Sequence, residues 1–128
     1  MNWLLIVSAI AGFGSAIGHS YLSERFVLGP LLAAPGDNRI WRSPSNHRLM
    51  RAMWHLPSFA WAQVAAATLW IAFSSVTPDA QATAVLVFFG VGAYGLSAAI
   101  NAFCMQKPHV GNILLGVAAL TLWFGLYG

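Results

Sequence analysis

Hydrophobic residues dominate four stretches of the chain, and each stretch is long enough to cross a lipid bilayer. The stretches cover residues 3–22, 50–74, 78–104 and 108–127. A transmembrane helix needs about 20 mostly apolar residues, and within lipid a helix satisfies its own backbone hydrogen bonds. The pattern therefore predicts an all-α integral membrane protein in which four transmembrane helices form a bundle. The helices take up nearly all of residues 1–128, so we expect a single domain.

Within each apolar stretch, polar and small residues recur every three or four positions and so fall on one face of a helix. In chain order the four faces comprise Ser8, Gly12, Ser15 and His19; Arg51, His55, Ser58 and Ala62; Tyr94, Ser97, Asn101 and Cys104; and His109, Asn112 and Gly116. Polar groups are costly in lipid and turn toward the interior of a bundle. We therefore expect the four faces to surround a shared axis.

The loop between the first two helices, residues 23–48, contains an apolar stretch that is too short to span a membrane. Residues 26–32 read Phe-Val-Leu-Gly-Pro-Leu-Leu, and residues 34–38 read Ala-Pro-Gly-Asp-Asn. The first stretch is predicted to lie in the membrane interface or to fold back as a lid. The second has the composition of a turn.

The composition excludes an ordinary soluble domain. Hydrophobic residues make up 59% of the chain and charged residues only 7%, against about a quarter charged residues in soluble domains. The single cysteine, Cys104, excludes an internal disulfide. The net charge of +3 comes from cations that flank the membrane spans, and no nucleic-acid-binding motif accompanies them. We therefore predict contacts with anionic lipids and none with nucleic acid.

The positions of the cations predict how the protein is oriented. All six Lys and Arg residues lie between residues 25 and 51 or at residue 107. Five of them are in the segments that join helix one to helix two and helix three to helix four, and Arg51 is at the edge of the first segment. Cytoplasmic loops carry an excess of Lys and Arg. We therefore predict that these two loops are cytoplasmic and that both termini are outside, in a multi-pass protein of a plasma (inner) membrane.

Three histidines are predicted to reach one membrane level at the cytoplasmic end of the bundle. His19 lies near the end of helix one, His55 about one turn inside helix two, and His109 at the start of helix four. Imidazoles from three helices suit a transition metal such as Zn²⁺, Cu²⁺ or Fe²⁺, or a haem. Glu24 or Cys104 would add an anionic ligand. Each histidine taken alone is also explained as an interfacial residue that hydrogen-bonds backbone or lipid headgroups.

Other polar residues are predicted to line the same cytoplasm-facing cavity. Arg51 and Glu24 would stand at its mouth, with residues 26–32 over it. The residues expected to bind a ligand, or to hold those that do, are Tyr94, Ser97, Asn101 and Asn112, together with Arg51. Metal ligands are commonly oriented by such hydrogen-bonding neighbours. Six aromatic residues include several positions near span ends and are predicted to anchor the helices at the membrane interface in preference to binding a ligand: Trp3, Trp54, Trp61, Trp70, Trp123 and Tyr127.

Two other functions fit the same residues. In one, the protein binds or transports a small amphiphile or anion, with the histidines and Arg51 on the headgroup and the tail held between helices. In the other, it is a non-catalytic membrane subunit whose Gly and Ala faces pack its helices together or join copies of the chain into a homo-oligomer. The sequence contains no set of residues that identifies an enzyme, and no motif that identifies a family.

Overall fold

The protein consists of four long helices in a computed structural model that describes residues 1–34, 43–75, 77–107 and 109–128. The helices are α1 (Trp3–Ala33), α2 (Pro44–Phe73), α3 (Ala80–Met105) and α4 (Val110–Tyr127). Each is long and apolar enough to cross a membrane, and the described ranges contain no strand. The predicted all-α class and its four candidate spans are confirmed. The turn predicted at residues 34–38 lies, apart from Ala34, outside the described residues, as do Arg39 and Arg42.

Three of the four long helices are capped at their N-terminus by a polar side chain. Asn2 caps α1 by accepting hydrogen bonds from the backbone N–H groups of Leu4 and Leu5. Asp79 caps α3 through a 2.7 Å bond from the N–H of Ala82, and His109 caps α4. These caps satisfy backbone donors that have no partner within the helix. They explain why α3 and α4 begin two residues later than the spans expected from hydropathy.

The first helix is longer than the sequence predicts. Hydropathy places its end near Leu22, with residues 26–32 as a separate interfacial segment or lid. Instead, α1 continues through a π-helical turn at Glu24–Leu28 and ends at Ala33. The apolar residues 26–32 are therefore an extension of α1 and are not a separate segment.

The π-helical turn explains how α1 continues past the Gly29-Pro30 pair. The N–H of Gly29 bonds back to the carbonyl of Glu24, and a Cβ at residue 29 would lie only 2.8 Å from that oxygen. A proline ring normally clashes with the carbonyl four residues before it. The wider turn ahead of Pro30 gives the ring room, so helical structure resumes beyond it.

Helix α1 lies at the centre of the fold and packs against both α2 and α4, while α3 packs mainly against α4. Small residues make these approaches close, because Ala11 and Ala16 of α1 and Ala118 of α4 are all buried. Polar bonds reinforce the α1–α4 contact: Ser8 Oγ donates to the carbonyl of Ala118 at 2.8 Å. The polar face predicted for α1 is thus confirmed as an inward face. Large apolar side chains such as Trp70 and Phe103 point outward, where lipid would cover them.

Candidate functional site

Trp61 of α2 is buried among the four helices. Its side chain is only 4% exposed, so the prediction that it anchors α2 at the membrane interface is wrong. The carbonyl of Trp61 accepts a 3.0 Å hydrogen bond from the Tyr94 hydroxyl, and its indole Nε1 donates to Ser97 Oγ at 3.1 Å. Tyr94 and Ser97 of α3 therefore hold Trp61 in place.

Two reciprocal histidine–serine contacts join α1 to α2. His19 Nδ1 and Ser58 Oγ share a hydrogen bond of 3.0 Å, and His55 Nδ1 and Ser20 Oγ share one of 3.1 Å. The ring of His19 also meets Trp61 edge-on, with 5.2 Å between ring centroids. Each imidazole therefore uses one nitrogen for helix packing and retains Nε2 for another partner.

A group of charged residues lies beside His55. Arg51 donates from both Nε and Nη2 to Oε1 of Glu24, each at 2.9 Å. His55 Nε2 lies 3.7 Å from the other carboxylate oxygen of Glu24. The side chains of Arg51 and Glu24 are 46% and 42% exposed, so this ion pair is at the surface and the two charges neutralise one another.

A cavity of about 390 Å³ lies between α1, α3 and α4, with Trp61 as one wall. Its apolar walls include Leu22, Phe26 and Leu114. The polar side chains that line it are Ser15, His19, Ser23, Asn101 and His109. Pockets that bind small molecules have volumes of about 300–1,000 Å³ and are mostly apolar with a few converging polar groups. This cavity therefore has the size and composition of a binding site.

Ser15 lines this cavity, and its hydroxyl is buried beside it without a hydrogen-bond partner among the described residues. The residue is 4% exposed, and its Oγ is buried without a hydrogen-bond partner. Buried hydroxyls in helices commonly bond the carbonyl four residues earlier, as Thr68 and Thr121 do here at 2.7 and 2.6 Å. Ser15 makes no such bond, so its buried hydroxyl has no partner among the described residues.

His109 contributes a ring whose tautomer is set by the backbone. Its Nδ1 accepts a 3.1 Å hydrogen bond from the N–H of Gly111. In a neutral imidazole, an accepting Nδ1 places the ring proton on Nε2. His109, a residue of the cavity lining, therefore carries its ring proton on Nε2.

The structure divides the residues predicted for one metal site between two places. His19, His109 and Asn101 line the cavity, whereas His55, Glu24 and Arg51 lie together at the α1–α2 surface. Cys104 is exposed and is absent from the cavity lining. Over the part of the chain that the structure describes, no three of His, Cys, Asp and Glu are close enough together to hold a metal ion. The structure thus gives the predicted metal or haem site no support.

Asn112 also lies apart from the cavity lining, although it shares a helical face with His109. Its Oδ1 is buried and has no hydrogen-bond partner. The sequence analysis assigned Trp61 and Ser20 no role beside the predicted ligands, yet Trp61 contacts His19 and Ser20 contacts His55. Spacing alone could have suggested Trp61, because it follows Ser58 by three residues on the polar side of α2. Ser20 had no such signal.

Comparison of the chain with protein-family models, with curated proteins and with solved structures finds no match in any of the three.

Proposed function

We propose that this protein is a membrane-embedded binding protein or carrier for a small amphiphile, which it holds in the cavity between α1, α3 and α4. The observation that carries this proposal is the buried, unpartnered Ser15 hydroxyl at an otherwise mostly apolar cavity of about 390 Å³. An unsatisfied buried hydroxyl costs roughly 1–3 kcal/mol. A ligand with both an apolar body and a polar atom would remove that cost and fill the space.

The distribution of side chains around the cavity supports an amphiphile over a purely polar ligand. Leu22, Phe26 and Leu114 offer surface for a hydrocarbon portion, while Ser15 and His109 are polar residues of the same lining. Such a division suits molecules that partition into a bilayer and reach the site from within it. Trp61 adds a rigid aromatic surface, held by its own hydrogen bonds to α3.

The positions of the Lys and Arg residues support a proposal for the side of the membrane that the cavity faces. It lies at the end of the bundle where α3 finishes at Met105 and α4 starts after His109. The same end carries Arg48, Arg51 and Lys107 in the sequence. By the preference of Lys and Arg for the cytoplasm, we propose that the cavity opens toward the cytoplasmic leaflet of a plasma (inner) membrane, with both termini outside.

A pair of glycine variants tests whether the cavity binds anything. Gly18 lines the cavity and Gly95 does not, and at both positions an added Cβ would meet no atom within 4 Å. In Gly18→Leu the new side chain can enter the cavity, whereas Gly95→Leu supplies the same residue change elsewhere. Both variants and the unaltered chain would be placed in phosphatidylcholine nanodiscs and unfolded thermally with decan-1-ol or decyl sulfate.

The proposal predicts that at least one of these two probes raises the unfolding midpoint of the unaltered chain in a saturable way. A ligand that binds only the folded state must have this effect. Gly95→Leu should show the same rise, and Gly18→Leu should show little or none. If neither probe stabilises the chain, or if Gly18→Leu responds as the unaltered chain does, the proposal is wrong.

A further inference from the structure

We infer that the ligand of this cavity is electrically neutral and carries an alcohol or carbonyl oxygen as its head. This inference rests on the proposed function and names the class of molecule that the site accepts. The observations behind it are the absence of Asp, Glu, Lys and Arg from the described lining of the cavity, the proton on Nε2 of His109, and the unpartnered hydroxyl of Ser15.

The first observation is the lack of ionic partners. Among the described residues, the lining of the cavity contains no Asp, Glu, Lys or Arg. The nearest candidate from sequence reasoning, Arg51, does not line the cavity and spends two of its N–H groups on Glu24. A charged head taken into this space would lose its hydration and meet no carboxylate, ammonium or guanidinium group among the described lining residues, and that loss is costly. A neutral head avoids it.

The second observation concerns hydrogen-bond direction. The Gly111 N–H occupies Nδ1 of His109, which leaves Nε2–H as the group that this ring can donate. Asn101 lines the same cavity and adds an amide that both donates and accepts. An oxygen that accepts hydrogen bonds, as in an alcohol or a ketone, is the head that these groups satisfy.

The third observation separates an oxygenated amphiphile from a plain hydrocarbon. A hydrocarbon would fill the apolar part of the cavity but would leave Ser15 Oγ buried and unpartnered. Hydrogen bonding to this hydroxyl would favour the oxygenated molecule, since an unpaired buried polar group discriminates strongly against analogues that lack its partner.

Trp61 provides a probe for this preference because it forms a wall of the cavity. Bromine quenches indole fluorescence on close approach, so three brominated compounds of equal chain length can be compared: 11-bromoundecan-1-ol, 11-bromoundecyl sulfate and 1-bromoundecane. Each would be titrated into nanodiscs that hold the unaltered chain or Trp61→Phe. The difference between the two titrations isolates quenching of Trp61 from that of the outward-facing tryptophans.

We expect saturable quenching of Trp61 by the bromo-alcohol, with apparent affinity at least tenfold above that of the sulfate or the hydrocarbon. Ser15→Ala should weaken the alcohol about fivefold, in line with the usual net worth of one hydrogen bond. Ser8→Ala is the matched control, because Ser8 is a buried serine of the same helix that bonds Ala118 and does not line the cavity.

The outcomes separate this inference from the function on which it rests. Equal or stronger quenching by the sulfate would overturn the neutral head while leaving an amphiphile-binding cavity in place. Equal quenching by the hydrocarbon, or no change in Ser15→Ala, would overturn recognition of the oxygen. If none of the three probes quenches Trp61 in a saturable way, the inference and the proposed function both fail.

Discussion

The hydroxyl of Tyr94 lies directly against Gly12, in the space that a side chain at residue 12 would occupy. Tyr94 is fully buried, and its hydroxyl donates to the carbonyl of Trp61 at 3.0 Å. Helices α1, α2 and α3 therefore meet at one point, where only a glycine on α1 leaves room for the tyrosine. The same tyrosine holds Trp61, so packing at Gly12 and the wall of the cavity are physically linked.

This contact predicts that Gly12→Ala destabilises the protein although alanine favours helices. The added Cβ would collide with the Tyr94 hydroxyl and ring, and overpacking of this kind typically costs about 1–3 kcal/mol. The matched control is Gly92→Ala, where a Cβ meets nothing within 4 Å. That change should be neutral or stabilising by up to about 1 kcal/mol. Thermal unfolding in nanodiscs measures both, and equal midpoints for the two variants would contradict the packing described.

The His19–Ser58 bond should appear as an energetic coupling between α1 and α2. Single alanine variants of each residue and the double variant form a cycle, and we expect a coupling free energy of about 1 kcal/mol. A second cycle that pairs His19 with Thr121 serves as the control. These two residues share no partner, since Thr121 bonds the carbonyl of Val117 in its own helix. Additive effects in the first cycle would mean that the hydrogen bond contributes nothing to folding.

Removal of Arg51 should leave the cavity unaffected. Its ion pair with Glu24 is about half exposed, and exposed pairs contribute roughly 0–1 kcal/mol. We expect Arg51→Ala to lower the free energy of unfolding by less than about 1 kcal/mol and to leave the stabilisation by decan-1-ol unchanged. Loss of amphiphile binding in this variant would instead make Arg51 a headgroup ligand.

Chelation should not alter ligand binding. The described part of the chain contains no three-ligand group for a metal, and the accepting Nδ1 of His109 leaves its Nε2 protonated. The response of the unfolding midpoint to decan-1-ol should therefore be the same with and without EDTA. Elemental analysis of the purified protein gives the opposing test. One metal ion per chain, lost when His19, His55 and His109 are all replaced by alanine, would restore the metal site that the sequence predicts.

Parts of the candidate site follow from local spacing and parts do not. The inward positions of Ser15 and His19 follow from their four-residue spacing along one face of α1, and both line the cavity. His55 satisfies the same spacing rule on α2, yet it faces Ser20 and Glu24 on the other side of the α1–α2 contact. A helical repeat locates a side chain around its own axis. It does not state which neighbouring helix that side chain meets.

The sequence alone determined the four apolar helices, the polar face expected on each and the concentration of cations in two short stretches of the chain. These properties follow from transfer of side chains out of water and from the helical repeat, and both act on each segment separately. The tertiary structure decided that α1 continues through a π-helical turn to Ala33, that Trp61 is buried, and that the histidines divide between a cavity and a surface ion pair. Those outcomes depend on how closely helices approach and how each is rotated. Contacts between residues far apart in the chain, such as Gly12 with Tyr94, determine the distance between helices and the rotation of each helix.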